Sequence, residues 1–348
     1  MSPYLAVIGE CLVDVVQSET SAPKAHVGGS PLNVAVGLAR LDHKVVFAGR
    51  RGDDDYGRMI ARSLKAQGIT NLLAADELPT SVATATLDPT GQASYEFSLD
   101  WVLPSADEVE QKFRDLAAQD QAAQDLAAQK QAAEDQSERA VPLMHLHTGS
   151  LGAVIQPGAE TVKAVLDRAR SHATVSYDPN YRPTLVPNRE WAREQVEQFI
   201  ARADVIQAST DDLELLYPER SHTDTMQAWL QLGPALVTVT RGASGAMALA
   251  RSGFAEQQAF SIDVADTVGA GDSFMAATLS SLHARGLLGG ENRTALQAIS
   301  YDDVAEVLRA AAQAAAITSS RFGAQPPTAA ELSAALSEPA HPAGPAGS

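Results

Sequence analysis

The sequence has little of what several classes of protein need. One cysteine, Cys11, occurs in 348 residues, so no disulfide can form within the chain, which is typical of a reducing compartment. Acidic residues outnumber basic ones, 43 to 26, and the net charge of −17 opposes binding to nucleic acid phosphates. No run approaches the roughly 20 apolar residues that cross a bilayer. We therefore expect a cytoplasmic protein with neither a nucleic-acid nor a membrane partner.

The first residues are apolar but do not resemble a targeting segment. The stretch 1–16 contains Glu10 and Asp14 and lacks a basic leader, so we expect a strand there rather than a signal peptide. With 45% apolar residues, a chain of 348 residues can bury a large core, as one α/β domain or as two smaller ones.

Short apolar runs alternate with helix-like segments along most of the chain. Residues 33–41 and 58–67 carry apolar side chains at helical spacing, and Gly68 is a suitable stop for the second helix. This alternation predicts a mostly parallel sheet with helices on both faces. The expected strands are 4–8, 45–48, 174–177, 205–208 and 236–240.

Residues 80–99 interrupt this pattern. β-Branched and aromatic residues alternate around a Pro-Thr-Gly turn at 89–91, which predicts an antiparallel hairpin. From the pattern alone, the hairpin is either a flap over a site or a peripheral element.

Low-complexity sequence occupies two places. Residues 115–135 repeat a five-residue unit rich in Ala and Gln, a period that matches neither a helix stripe nor a strand face. We expect a solvated, fraying helix or disorder there. A coiled coil is disfavoured because Leu116 and Leu126 stand ten residues apart. The Pro/Ala/Gly-rich tail, 337–348, is expected to be disordered.

The stretch 266–272, Asp-Thr-Val-Gly-Ala-Gly-Asp, indicates an anion site. Gly269, Ala270 and Gly271 let a ligand approach the backbone, and N–H groups at a helix N-terminus favour negative charge. A carboxylate beside this hole, Asp272, would repel a phosphate, which makes sense if it takes a proton from a hydroxyl that attacks phosphorus. The alternative is that Asp272 only caps a helix after a glycine turn.

A second segment, 28–33, has the residue types of a polyol site. Gly28 and Gly29 allow backbone conformations that are closed to other residues, and Asn33 offers both a donor and an acceptor. Together with Asp14, expected at the end of the first strand, they could bind sugar hydroxyls. The alternative is a loop that caps the next helix, with Asp14 solvated.

These segments resemble the signatures of the ribokinase-like, pfkB-type carbohydrate kinases. The matching stretches are 28–57, 178–182, 240–245, 266–274 and 321–327, so the resemblance covers nearly the whole chain. It implies one kinase domain over 1–336, an α/β fold with three αβα layers and a mostly parallel central sheet. It also implies a small β-sheet lid, formed by about 11–27 and 80–101, which makes a homodimer contact in many members.

The resemblance implies a role for each matching residue. Asp272 is expected to be the base that activates the sugar hydroxyl, and Gly269, Ala270 and Gly271 are expected to hold the transferring phosphoryl group. The expected sugar contacts are Asp14, Gly28, Gly29, Asn33 and Arg182. The expected ATP contacts are Ser209, Thr240, Gly242, Gly245, Gly269, Gly271 and Gly323. The family also uses Mg²⁺, and some members place K⁺ near the positions of Asp266 and Gly323.

Two features depart from the family pattern. Where the family has Asn-x-x-Glu to organise Mg²⁺, this chain has Ser209-Thr-Asp-Asp212, so Asp212 would meet the metal through water, or would merely begin a helix. Residues 105–140 have no family counterpart. We therefore expect a surface insertion that supplies no site residue.

The segments 9–14, 28–33 and 178–182 resemble fructokinases more than ribokinases or adenosine kinases. The expected reaction is ATP-dependent phosphorylation of a primary hydroxyl on a ketose, fructose first. The alternatives are ribokinase and 2-keto-3-deoxygluconate kinase. In a 2-keto-3-deoxygluconate kinase, Arg182 would meet the carboxylate of the substrate rather than a phosphate of ATP. A structural salt bridge is the other possible role of Arg182. A non-catalytic sugar or nucleotide sensor on the same fold is the alternative from another class, and an intact Asp272 argues against it.

Overall fold

The computed structural model describes residues 3–18, 21–87, 93–128 and 143–337. The strands in these ranges are β1 (Tyr4–Ile8), β2 (Leu12–Ser18), β3 (Ser21–Gly28), β4 (Val45–Ala48), β5 (Thr70–Asn71), β6 (Val82–Leu87), β7 (Ala93–Ser98), β8 (Leu143–Gly149), β9 (Thr174–Asp178), β10 (Val205–Ser209), β11 (Leu236–Thr240), β12 (Ala246–Ala250) and β13 (Gly253–Gln257).

The α-helices in the same ranges are α1 (Ser30–Arg40), α2 (Asp55–Ala66), α3 (Ala106–Ala128), α4 (Gly158–Ala169), α5 (Arg189–Ile200), α6 (Thr210–Leu216), α7 (His222–Gln231), α8 (Ala270–Ala284), α9 (Arg293–Gln297), α10 (Tyr301–Ser319) and α11 (Ala329–Ser337). None of the helices in the described part of the chain is both long and apolar enough to span a bilayer.

The larger sheet has the strand order β13-β12-β11-β10-β9-β8-β1-β4-β5. Every neighbouring pair from β11 to β5 is parallel, and β12 and β13 add an antiparallel edge. Strands such as β1 and β4 are buried along their whole length, as expected when helices cover both faces. One apolar cluster includes side chains of α3 to α7, and a second, on the opposite face, includes side chains of α1, α2 and α8 to α11. The predicted three layers are thus confirmed.

The elements begin and end close to the expected residues. The strands expected at 4–8, 45–48 and 236–240 have those bounds, whereas β9 and β10 each extend one residue further, to Asp178 and Ser209. Helices α1 and α2 start three residues earlier than the apolar spacing indicated. Pro31 in the first turn of α1 and the Asp54 side chain, which accepts from Gly57 N, account for these earlier starts. Gly68, with φ of 67°, follows the end of α2 as expected.

The smaller sheet has the order β3-β2-β6-β7. It contains the predicted hairpin, because β6 and β7 pair antiparallel, and the expected lid segments 11–27 and 80–101 both contribute to it. The hairpin turn at 89–91 lies outside the described residues. Phe97 of β7 and Leu12 of β2 pack with Leu151 of the larger unit, so one face of the small sheet is turned toward the body of the molecule.

Two side chains anchor the base of the small sheet. The buried Arg50 guanidinium donates to Pro79 O at 2.8 Å and to Asp100 O at 3.2 Å, on the two sides of the β6–β7 hairpin. The Asp54 carboxylate accepts from Thr80 N at 2.8 Å and from Thr80 Oγ1 at 2.7 Å. The hairpin is therefore tied to the segment between β4 and α2.

Helix α3 corrects the expectation of a surface insertion over 105–140. Val109 is fully buried and Phe113 nearly so, in the cluster that contains α4, and Leu116 packs against the same cluster. The expectation is therefore wrong for the first part of α3, because Val109, Phe113 and Leu116 recur at helical spacing and form a core face. The repeat begins at 115, so this face overlaps the repeat only at Leu116, and residues 129–142 lie outside the described ranges. So do 338–348 of the expected disordered tail, whereas Ser337 closes α11.

A polar cluster lies inside the larger sheet, between β8 and β9. His145 Nδ1 and Thr174 Oγ1 are 2.8 Å apart, and Ser176 Oγ lies 2.8 Å from both His145 Nε2 and His147 Nδ1. Both imidazoles are fully buried. Burial lowers the pKa of His145 well below its usual value and lowers the pKa of His147 to about 3, so both rings are neutral at physiological pH.

Candidate active site

A cavity of about 330 Å³ opens at the carboxyl ends of β9, β10 and β11. Open parallel sheets bind ligands at this edge. The N-termini of α1 and α8 also reach the cavity, so two helix dipoles favour negative charge there. The residues that line it are Ser30, Asn33, Asp178, Asn180, Arg182, Gln207, Ser209, Asp212, Thr240, Thr267, Val268, Gly269, Gly271 and Asp272.

Asp272 lies in the first turn of α8 and is held by two donors from α1. Ser30 Oγ donates to Oδ1 at 2.6 Å, and Asn33 Nδ2 donates to Oδ2 at 2.8 Å. Burial raises the pKa of Asp272, whereas the hydrogen bonds from Ser30 and Asn33 and the charge of Arg182 lower it. Burial is the largest of these effects, so the pKa of Asp272 is raised on balance, and the carboxylate that lines the cavity is a stronger base than an ordinary aspartate.

The turn before Asp272 provides backbone donors. Gly269, with φ of 76°, occupies the left-handed conformation that precedes α8. The N–H of Ala270 donates to Thr267 O at 3.2 Å, so it is engaged within the turn. Within the described residues, the N–H groups of Gly271 and Asp272 have no backbone acceptor. An anion would therefore be held by these two groups rather than by Ala270.

The space around Gly271 is informative. A Cβ at this position would have one neighbour within 4 Å, Gln207 Nε2 at 3.6 Å. Packing within the described protein does not require glycine there. Because Gly271 lines the cavity, a methyl group there would take space that is open to a ligand at the start of α8.

Asp14 lies within β2 of the small sheet, so the expectation that it stands at the end of the first strand is wrong. β1 ends at Ile8, and the chain enters β2 at Leu12. The Asp14 carboxylate lies against the backbone of Gly28, since a Cβ at Gly28 would be 2.1 Å from Asp14 Oδ2. Asp14 and Gly28 are thus brought together.

Gly29 joins this group to the cavity. Its φ is 110°, and a Cβ would lie 2.7 Å from Glu10 O, so only glycine fits between β3 and α1. Asn33, one turn into α1, lines the cavity, whereas Asp14, Gly28 and Gly29 lie beside it rather than in its lining.

Arg182 lines the cavity from the loop after β9. Its Nη1 donates to Tyr181 O at 3.2 Å. Within the described part of the chain no carboxylate lies within salt-bridge distance of it, so the structural salt bridge considered from the sequence finds no partner here. Burial raises the pKa of both Asp178 and Asp272, and the charge of Arg182 partly offsets that rise.

The expected nucleotide contacts fall into two groups. Ser209 and Thr240 line the cavity. Gly242 and Gly245, with φ of 52° and 89°, form the turn between β11 and β12 and are not part of its lining. Gly323 also stands outside the lining, and its N–H donates to Asp266 Oδ2 at 2.8 Å.

The two expected metal contacts are already engaged in the protein. Asp212 Oδ2 accepts from Ser209 N and Oγ, at 2.8 and 2.6 Å, and Oδ1 accepts from Tyr181 N at 2.7 Å. Asp266 accepts from Val268 N and Gly323 N. No group of three or more His, Cys, Asp or Glu side chains in the described ranges is placed to hold a metal ion. One lone pair of Asp212 Oδ1 remains open to a water molecule on Mg²⁺.

Six cavity residues had no role assigned from the sequence: Ser30, Asp178, Asn180, Gln207, Thr267 and Val268. Gln207 is buried, and its Nε2 donates to Asp178 Oδ2 and to Gly271 O, at 2.9 Å each. Burial and the charges of Asp212 and Asp272 raise the pKa of Asp178 well above its usual value. A polar residue inside the apolar strand Val-Ile-Gln-Ala-Ser was the signal that could have identified Gln207.

Comparison with known proteins places these features in a family. The family model of pfkB carbohydrate kinases matches residues 2–331. A fructokinase from Vibrio alginolyticus is 32% identical over 280 residues, which cover 79% of this chain and 83% of the relative.

Solved structures give the same picture. A fructokinase with bound ATP from Xylella fastidiosa superimposes with a TM-score of 0.77 at 25% identity, over 95% of this chain and 98% of that one. A ribokinase from Thermotoga maritima gives a TM-score of 0.70 at 19% identity, over 97% and 100% of the two chains. These likenesses confirm the ribokinase-like fold.

Proposed function

This chain belongs to the pfkB family of carbohydrate kinases, and from that premise we propose that it transfers the γ-phosphoryl group of ATP to a primary hydroxyl of fructose. The observation that carries the proposal is the Asp272 carboxylate, which lies beside the unpaired N–H groups at the start of α8 in a cavity lined by Ser209 and Thr240. A pure binding protein has no need of a base at this position. Fructokinase relatives that match most of the chain support the choice of sugar.

In the proposed reaction, Asp272 accepts the proton of the attacking hydroxyl. The sugar oxygen forms a bond to the γ-phosphorus, the bond from that phosphorus to the β–γ bridging oxygen breaks, and ADP leaves with the electron pair. The N–H groups of Gly271 and Asp272 stabilise the charge on the phosphoryl oxygens. Because these donors are fixed at a helix N-terminus, they need no reorganisation during transfer.

The nucleotide would lie along the ends of β10 and β11, with Ser209 and Thr240 in contact with it. The Xylella relative contains bound ATP, which supports this assignment. Mg²⁺ bound with ATP would neutralise phosphate charge, and Asp212 Oδ1 fits a water-mediated contact to it. We extend the proposal to K⁺ near Asp266, where the loop of Gly323 is tied down.

The sugar would lie where the small sheet meets α1. Asp14, beside Gly28, supplies a carboxylate for hydroxyl groups, and Asn33 supplies an amide on the cavity side. The same small sheet is the surface that we propose for a homodimer. Light scattering tests the homodimer, because it measures the mass of the protein in solution.

Arg182 favours one alternative substrate class, the 2-keto-3-deoxy sugar acids. Its guanidinium faces the cavity and has no carboxylate partner in the described residues, so a substrate carboxylate could pair with it. In the fructose assignment the same group contacts a phosphate of ATP.

Release of ADP across a panel of acceptors tests the proposal. The panel is fructose, tagatose, ribose, 2-keto-3-deoxygluconate and adenosine, with Asp272→Asn as the control for contaminating activity. We expect the highest kcat/KM with fructose. Fastest turnover of ribose or adenosine would overturn the fructokinase assignment, and fastest turnover of the keto acid would assign Arg182 to the substrate. Ligand-induced thermal stabilisation without ADP release from any sugar would favour a sensor.

A further inference from the structure

We propose that Ser30 is a positioning residue for the phosphoryl transfer: its hydroxyl orients the Asp272 carboxylate and keeps it ionised. The inference rests on the proposed function for its kinetic meaning, but the hydrogen bond it invokes is independent of the substrate. It assigns a role to a residue that neither binds the nucleotide nor reacts.

The first step is geometric. Ser30 Oγ is 2.6 Å from Asp272 Oδ1, a short distance that fits a hydroxyl donating to a charged carboxylate. Asn33 Nδ2 already donates to the other oxygen. An amide nitrogen can only donate, so Oδ2 is an acceptor, and donation from the Ser30 hydroxyl to Oδ1 completes the bonding pattern of the ionised acid.

The second step is electrostatic. The charged groups that face Asp272 from the described residues are Arg182, which lowers its pKa, and Asp178, whose own pKa is raised by Asp272. Asp212 lies in the same cavity. The first turn of α1 and residues 310–319 of α10, which pack along α8, contain no charged side chain. Burial is the largest effect on the pKa of Asp272 and raises it, and the Ser30 hydrogen bond is the largest of the effects that oppose this rise.

The third step concerns how Ser30 is held in place. It is the first residue of α1, directly after Gly28 and Gly29 at the end of β3. On its other side, Pro31 packs closely on Gly9, where a Cβ would lie 2.3 Å from Pro31 Cγ. The hydroxyl is thus fixed between the small sheet and the end of β1, and its position does not depend on the mobility of a surface side chain.

The kinetic test compares wild type with Ser30→Ala, Ser30→Thr and Ser273→Ala across pH. Ser273 is the matched control, because it follows Asp272 on α8 and its buried hydroxyl donates to Ala314 O instead. In the pH profile of kcat/KM, we expect the midpoint of the acidic limb to shift to a higher pH by about one unit in Ser30→Ala. This is the shift given by loss of one hydrogen bond to a charged group. Ser30→Thr retains the hydroxyl and should keep the wild-type limb, as should Ser273→Ala.

A direct titration separates this proposal from the proposed function. The carboxyl of Asp272 is followed by ¹³C NMR in aspartate-labelled protein, with Asp272→Asn identifying its resonance. If no sugar is phosphorylated, the proposed function is wrong. An upward shift of the titration midpoint of Asp272 in Ser30→Ala would still support the role of Ser30. An unshifted midpoint, or an unshifted acidic limb with a lowered kcat, overturns it. If Ser30→Ala does not fold, Ser30→Cys, with a weaker donor, should shift the midpoint in the same direction.

Discussion

At the scale of single residues, the candidate site depends on polar side chains and backbone N–H groups at the N-termini of α1 and α8. Asp272 belongs to α8 but is held by Ser30 and Asn33 of α1, and the N–H groups of Gly271 and Asp272 face the cavity. Gly269, Gly271, Asn33 and Asp272 could be singled out from the sequence because glycine turns before helices are local patterns. Ser30 could not, since its partner is 242 residues away in the chain. Gln207 stands out as a polar residue in an apolar strand, but its contact with Gly271, 64 residues away, could not be read from the sequence.

Replacing the base tests the mechanism most directly. Asp272→Asn keeps the shape and the hydrogen bond to Ser30 but cannot accept a proton. We expect kcat to fall by about 10²–10⁴-fold. Binding of ATP and fructose, measured by calorimetry, should stay close to wild type. A near-normal kcat in this variant would remove Asp272 from the role of base.

Gly271→Ala separates stability from activity. The new Cβ meets one protein atom within 4 Å, at 3.6 Å, so the variant should fold. Alanine in a helix is favoured over glycine by about 0.5–1 kcal/mol, so the free energy of unfolding should stay level or rise. Turnover of ATP should fall at least tenfold, because the methyl group occupies the space of the phosphoryl group. Chemical denaturation and ADP release measure the two effects, and loss of both together would contradict this account.

At the scale of elements, hydrophobic periodicity gave the layers but missed polar pairings across strands. The runs at 4–8 and 45–48 are fully buried, as their composition indicates. The expectation of a surface insertion at α3 was wrong because it was based on the five-residue repeat. Val109 and Phe113, which form a short core face, lie just before that repeat. His145 and His147 stand on either side of Leu146 in the sequence, and only the alignment of β8 with β9 shows their shared partner Ser176.

The neutral histidines in β8 predict a pH effect on stability. The pKa of His147 is about 3 in the folded chain, and the usual value of 6.5 applies when it is unfolded. Below pH 6.5 the unfolded state binds a proton that the folded state does not, so this contribution is fully present above pH 6.5 and is lost as the pH falls toward 3.

The comparison of wild type with His147→Gln isolates this contribution. The variant should be less stable at pH 7.5, because it disturbs a buried hydrogen-bonded cluster. The difference in free energy of unfolding should then shrink by about 1.4 kcal/mol per pH unit below 6.5. Urea titrations at pH 7.5, 6.5 and 5.5 measure it. A difference that stays constant with pH would mean that His147 takes up a proton over the same pH range in the folded protein as in the unfolded chain.

At the scale of the whole molecule, a chain with a net charge of −17 is proposed to bind an anionic nucleotide. The two are compatible because the groups that would hold phosphate are local: helix N-termini and Arg182 meet at one edge of the sheet, and solvent ions screen the remaining acidic surface beyond about 8–10 Å. The three layers could be predicted from the composition and from the alternation of strands and helices along the sequence. The meeting of α1, α8 and β9 at one cavity could not be predicted, because it depends on the order of strands in the sheet.

Salt should stabilise the protein through this excess charge. Raising the ionic strength from about 0.01 to 0.15 M shortens the screening length from about 30 to 8 Å, which weakens repulsion among acidic groups in the folded state. We expect Tm to rise in NaCl, KCl and tetramethylammonium chloride alike. A larger rise in KCl would mark the proposed K⁺ site near Asp266, which the bulky cation cannot enter. A Tm that falls with all three salts would contradict the account of charge repulsion.

The direct passage of β3 into α1 through Gly28 and Gly29 has a consequence for protein engineering. Grafting the small sheet of another kinase onto this chain is an obvious way to change its sugar preference. Because the graft and the helix that carries Ser30 share continuous backbone, a replacement that alters the last residues of β3 would also displace the base. An exchange of the small sheet is therefore expected to change the rate of turnover together with the sugar preference. The exchange should stop before Val27 and retain residues 27–33 of the host.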